Sequence, residues 1–120
     1  MNYERREGRR KERGGGVSNI KKRAYISGPM SGIKDFNYPA FNAEARRLRA
    51  MCYDVENPAE NEKPEFNTWD EWMRLAIAQL IKCDTVVTLH GWEMSRGAKI
   101  EVRIAKDLGM DICKPSDIRH

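Results

Sequence analysis

The chain has 120 residues, 40% hydrophobic and 33% charged, with a net charge of +4; that is enough for one core and too little for two domains. No apolar run approaches the roughly 18 residues of a membrane span, and the charged N-terminus lacks the apolar stretch of a signal peptide, so a soluble cytoplasmic protein with no membrane partner is expected. The charge is uneven: residues 1–23 hold nine Lys/Arg and three Glu, the other 97 hold thirteen and fifteen, so the basic pI belongs to the tail and gives no reason to see the body as a nucleic-acid-binding surface.

Residues 1–21 (MNYERREGRRKERGGGVSNIK) are almost devoid of apolar side chains. They cannot bury enough surface to offset chain entropy, so a disordered basic tail is expected. It serves as a solubilising leader or as a weak, salt-sensitive contact with nucleic acid. Residues 22–120 form the expected domain. Arg23–Ser27 (RAYIS) reads as a short strand ended by the turn Gly28-Pro-Met-Ser-Gly32. A helix from about Tyr38 to Met51 follows, with Asn37 as its cap, Pro39 in its first turn and Phe41, Ala45, Leu48 and Cys52 as its apolar stripe.

Tyr53–Glu56 reads as a second strand, closed by Asn57-Pro58. Thr68-Trp-Asp-Glu71 is a capping box and opens a helix that ends near Lys82, with Trp69, Met73, Ala76, Ile77 and Leu80 on one face. Asp84–Leu89 (DTVVTL) is β-branched and nearly continuous, as for a strand buried on both faces. Ser95 caps the last helix, which ends at Leu108 with Gly109 beyond it, and Met110–Cys113 is a final strand. The order β-α-β-α-β-α-β predicts a parallel sheet covered on both sides, with right-handed crossovers. Ligands of such sheets bind beyond the carboxyl ends of the strands. That rim comprises the loops GPMSG, NPAEN and HGWEMSRG.

The three cysteines, Cys52, Cys83 and Cys113, are far apart, and the only histidines are His90 and His120. No metal-ligand spacing exists, and reduced, mostly part-buried thiols are expected. On the last helix Gly97, Ala98, Glu101, Ile104, Ala105 and Leu108 share one face at three-and-four spacing. Glu101 is the lone charge in that inward stripe. Burying it costs several kcal/mol unless it is paired or wetted by a cleft. It is either a structural carboxylate or a group pointing at the rim. Gly28 and Gly32 can turn N–H groups toward an anion, though Gly-Pro is also ordinary turn chemistry. Trp92 can stack on a base or edge the core. Ser95, Arg96 and Gly97 open a helix N-terminus that favours an anion.

Together, Tyr25-Ile-Ser-Gly-Pro-Met30, Asp84-Thr-Val-Val-Thr-Leu89 and Ser95-Arg-Gly-Ala-Lys-Ile-Glu101 resemble the nucleoside 2-deoxyribosyltransferase-like superfamily, over about Arg23–Ile112. The GWE-x-SRGA-xx-E run is most similar to its small phage and prophage members, which would place the protein in a host cytoplasm. The resemblance implies a three-layer α/β/α, flavodoxin-like parallel sheet of about four strands in the order 2-1-3-4. It implies cleavage of a nucleoside or nucleotide N-glycosidic bond, or deoxyribosyl transfer, without a cofactor. Glu101 matches the nucleophile and Tyr25 the tyrosine beside it, while Ser27, Gly28, Met30, Trp92, Ser95, Arg96 and Gly97 fall in the ligand-binding loops. A homodimer or larger assembly is implied, and the Trp69–Trp72 helix offers two indoles to such an interface. One position departs: active relatives carry a proton-transferring aspartate where this chain has Ala76. The alternatives are therefore a nucleotide-binding or sensing module without turnover, or an accessory protein acting through its basic tail.

Overall fold

The computed structural model describes residues 22–119; the expected tail, residues 1–21, lies outside them. Its strands are β1 (Arg23–Ser27), β2 (Asp54–Glu56), β3 (Thr85–Thr88) and β4 (Asp111–Cys113). Its helices are α1 (Tyr38–Ala50), α2 (Trp69–Leu80) and α3 (Arg96–Asp107). The four strands form one parallel sheet in the order β2-β1-β3-β4. This is the three-layer, flavodoxin-like α/β fold that the element order implied.

Side chains alternate across the sheet and divide the core in two. Ala24, Ile26, Val55 and Val87 face α1 and meet Phe41, Ala45 and Leu48. Tyr25 and Val86 face the other way and meet Ala76 and Leu80 of α2 and Ala105 of α3. All four residues of β3 are buried, as a central parallel strand requires. Because α2 and α3 lie on the same face, their N-termini stand together above the carboxyl ends of β1 and β3. That is the switch point of the sheet, since β1 runs on to α1 on one face and β3 to α3 on the other.

The helix ends follow local rules with one exception. Thr68 Oγ1 accepts from the Glu71 N–H, and the Glu71 carboxylate accepts from the Thr68 N–H, which completes the capping box. Ser95 Oγ accepts from the Ala98 N–H at 3.1 Å and caps α3. Asn37 does not cap α1. It lies in the left-handed region at φ 62°, and its Nδ2 donates instead to the Pro29 carbonyl at 2.9 Å. Asp35 and Phe36 precede it at φ 55° and 53°, so a left-handed turn of three non-glycine residues replaces the expected cap; each costs roughly 1–2 kcal/mol. The side chain that would have capped the helix holds this turn against the GPMSG loop.

The inward stripe of α3 is also displaced from the expected one. Ala98, Glu101, Val102 and Ala105 are buried, whereas Leu108 is 37% exposed. Leu108 is the C-cap, and Gly109 then turns the chain at φ 75° toward β4. The last residue of the periodic stripe has therefore already left the helix surface that faces the sheet. Among the described residues no helix is long and apolar enough to cross a membrane.

Candidate active site

β1 supplies two hydroxyls to the α2/α3 face, from Tyr25 and Ser27, two residues apart on the same side of the strand. α3 supplies Glu101 from its second turn. The Ser27 hydroxyl donates to Glu101 Oε1 at 2.6 Å and the Tyr25 hydroxyl donates to Oε2 at 2.9 Å. All three residues are buried, Glu101 with 6% exposure. Each carboxylate oxygen thus keeps a lone pair free of these two bonds.

Burial dominates the electrostatics. Desolvation pushes the Glu101 carboxyl up from 4.5 to about 7, against the opposing pull of the hydrogen bonds from Ser27 and Tyr25. Tyr25 is held well above its ordinary value, first by burial and then by the charge and hydrogen bond of Glu101. The phenol is therefore a fixed donor at neutral pH, and the carboxyl changes charge near neutrality. Such a poise is common in groups that do chemistry. The Cys83 thiol is pushed up to about 12 by burial, so it stays protonated at neutral pH.

The remaining site candidates lie in the segments that follow β1 and β3, and Met30 packs on the face of the sheet opposite Tyr25 and Glu101. Gly28 follows Ser27 directly; a Cβ there would lie 2.9 Å from Leu89 Cβ, so only glycine lets the β1 and β3 exits approach this closely. Met30 is half-buried and packs against the α1-side core. Trp92 is half-buried in the short turn Trp92–Met94 that leads into α3. Gly97 faces α2, where a Cβ would come within 3.0 Å of Met73 Sδ. Arg96 is exposed, and its guanidinium stacks 3.8 Å above the Trp69 ring.

The stack of Arg96 on Trp69 was not anticipated from sequence. Both residues open their helices, α3 and α2, and the topology puts those two helix starts side by side. A second unanticipated feature links β2 to α2: Asn61 Nδ2 donates to Gln79 Oε1 at 2.7 Å, and Gln79 Nε2 donates to Glu56 Oε1 at 3.0 Å. Glu56 is the register partner of Tyr25. One turn above Gln79, the α2 wall beside Tyr25 is the apolar methyl of Ala76. Asp35, His90 and Glu93 are exposed rim residues, and none of them hydrogen-bonds to the Tyr25–Glu101–Ser27 group. Among the described residues, no group of three or more His, Cys, Asp or Glu side chains is arranged to hold a metal ion.

A search of curated proteins returned no match. A family model does match, over residues 22–114, and it takes in β1 to β4 and every residue of the group described above. The chain belongs to the family described as a domain of unknown function, DUF4406.

Proposed function

We propose that this chain cleaves the N-glycosidic bond of a nucleoside or nucleotide, by hydrolysis or by deoxyribosyl transfer, with Glu101 as the nucleophile. The observation that carries this reading is the buried carboxylate held between the Tyr25 and Ser27 hydroxyls at the carboxyl edge of the sheet. It agrees with the likeness of the GWE-x-SRGA-xx-E run and the β1 motif to the nucleoside 2-deoxyribosyltransferase-like superfamily.

The chemistry follows from that geometry. A carboxylate oxygen of Glu101 attacks C1′ as the base departs, which leaves a glycosyl ester on the enzyme. Water or an acceptor base then displaces the carboxylate. Tyr25 and Ser27 fix the carboxylate and share its charge, so little reorganisation is needed when the ester opens. Burial strips water from the nucleophile. Gly28 belongs to the loop after β1 that we propose lines the sugar or base, and Trp92 lies in the turn before α3. Ser95, Arg96 and Gly97, at the start of α3, are the residues we propose to receive a 5′ hydroxyl or phosphate. We further propose a homodimer or larger assembly.

The test is chromatography of free base after incubation with nucleosides and 5′-monophosphates, run beside Glu101→Gln. A 2-fluoro sugar nucleoside should trap a covalent adduct on Glu101, visible as added mass on the intact protein. Base release that is equal in Glu101→Gln, or no release from any substrate, defeats the proposal. The specific observation favouring a second reading is the apolar wall at Ala76: a binding or sensing module would give saturable nucleotide binding in calorimetry and no base release. Contact with nucleic acid through the tail rests on residues 1–21, and deleting them should abolish it while sparing nucleotide binding.

A further inference from the structure

Breaking an N-glycosidic bond has two requirements: a nucleophile or its equivalent at C1′, and a way for the base to accept the bonding electron pair. Glu101 meets the first. For a neutral purine or pyrimidine the second is normally met by an acid that protonates the ring, worth about 10²–10⁴-fold. Among the described residues, the groups that touch Glu101 do not offer that acid. The Ser27 and Tyr25 hydroxyls are both committed to the carboxylate, and Tyr25 holds its proton far too tightly to give it up at neutral pH. The facing wall on α2 is Ala76, 6% exposed and packed with Tyr25 in the same cluster. Glu56, on the same face of the sheet, is turned to Gln79 of α2. The rim groups Asp35, His90 and Glu93 make no hydrogen bond to the Tyr25–Glu101–Ser27 group.

A buried carboxylate with no acid beside it among the described residues suits a different leaving group. We infer that the preferred substrate is an N-glycoside whose base already carries a positive charge, such as an N-alkylated purine or a pyridinium nucleoside or nucleotide. This rests on the reading of Glu101 as nucleophile. As the Glu101 oxygen bonds to C1′, the C1′–N bond breaks and its electron pair passes to the ring nitrogen. The positive charge is cancelled, and the base leaves neutral with no proton taken from the protein. Water then adds at C1′, the bond to Glu101 opens with its pair returning to the carboxylate, and one proton passes to solvent. The charge also helps before the reaction. A cation beside a carboxyl that titrates near neutrality favours its ionised form, so the substrate converts Glu101 to the nucleophilic state as it binds.

The matched probes are guanosine and 7-methylguanosine, as nucleosides and 5′-monophosphates and in ribo and 2′-deoxy forms, with uncatalysed release subtracted. The wild-type chain should release 7-methylguanine with a kcat/KM at least about 100-fold above that for guanine. Ala76→Asp places an acid beside Tyr25 and should raise the ratio of guanosine to 7-methylguanosine cleavage at least about tenfold, read at a pH high enough to keep Glu101 ionised. Ala76→Asn has the same size without the acid and should not reproduce the gain; circular dichroism is the check that both variants fold. Guanosine cleaved within tenfold of 7-methylguanosine by the wild type, or equal gains from Asp and Asn, overturns the inference while leaving the Glu101 reading intact. Release of 7-methylguanine unchanged in Glu101→Gln overturns both.

Discussion

Replacing Glu101 by Gln should stabilise the protein, and by an amount that depends on pH. In the unfolded chain this carboxyl titrates at its ordinary 4.5, and in the fold near 7. Between those values the folded state holds a proton that the unfolded state has lost. Stability therefore falls as pH rises through the window, because the unfolded chain gains by ionising in water while the fold keeps the carboxyl neutral. Above pH 7 the full displacement applies and costs on the order of 3 kcal/mol. Gln is nearly isosteric and keeps one acceptor for Tyr25 or Ser27, and it never ionises. The expected gain is on the order of 3 kcal/mol at pH 8, and for a domain of this size that is a rise in Tm of roughly 10–20 °C. Below pH 4.5 both side chains are neutral and the gain should vanish. The assay is urea denaturation of wild type and Glu101→Gln at several pH values from 4 to 8. A difference independent of pH would refute the reasoning, since it would mean that the carboxylate is not ionised against its environment. A loss of stability at pH 8 would show that the two hydroxyl hydrogen bonds outweigh the desolvation.

Three further outcomes follow from single residues. Ser27→Ala removes the 2.6 Å bond to Glu101, so the acid limb of the pH–rate profile should move upward by about one unit; an unmoved limb would mean that Ser27 does not hold the ionised form. Cys52 occupies the left-handed position after α1 at φ 68°, with the Cys52 and Tyr53 N–H groups donating to the Arg49 and Leu48 carbonyls. Cys52→Gly should stabilise the protein by about 1 kcal/mol in denaturant melts, and destabilisation would contradict this geometry. Arg47 bonds both oxygens of the buried Glu44 and also the Pro115 and Ile118 carbonyls. Arg47→Ala should cost about 3 kcal/mol and speed amide exchange in residues 114–119, and exchange unchanged there would show that Arg47 does not fasten the C-terminal segment.

What the sequence disclosed was whatever depends on near neighbours in the chain. Thr68 with Glu71, Ser95 before an amphipathic run and Gly109 after it each satisfy a helix end within three or four residues, and each was legible. Glu101 was legible for the same reason, because its burial follows from helical spacing. Asn37 was not. Its side chain suits a cap and its backbone suits a left-handed turn, and the choice between them is made by the Pro29 carbonyl eight residues earlier. The end of α1 is the mirror case. It closes with the same pair of hydrogen bonds as the Gly109 turn of α3 but places Cys52 where a sequence rule looks for glycine. The stack of Arg96 on Trp69 depends on α2 and α3 sharing a face, which no local pattern states.

The same burial governs both the stability and the proposed chemistry of Glu101, and in opposite directions. Above neutral pH the ionised carboxylate weakens the fold, and only the ionised carboxylate can attack C1′. Tyr25 and Ser27 ease this conflict by donating to the anion, and in doing so they become unable to serve the leaving base. An acid on α2 would lift that limit at a cost, because a second carboxyl beside a buried anion would raise the Glu101 pKa further and take the nucleophile out of its active form. With Ala76 in the wall, the carboxylate stays half-ionised at neutrality and free to respond to the charge of what binds. On the proposed reading, the lack of an acid on α2 and the ionisable nucleophile both follow from one apolar residue, Ala76. Selectivity for a cationic base is the form of catalysis we propose for this arrangement.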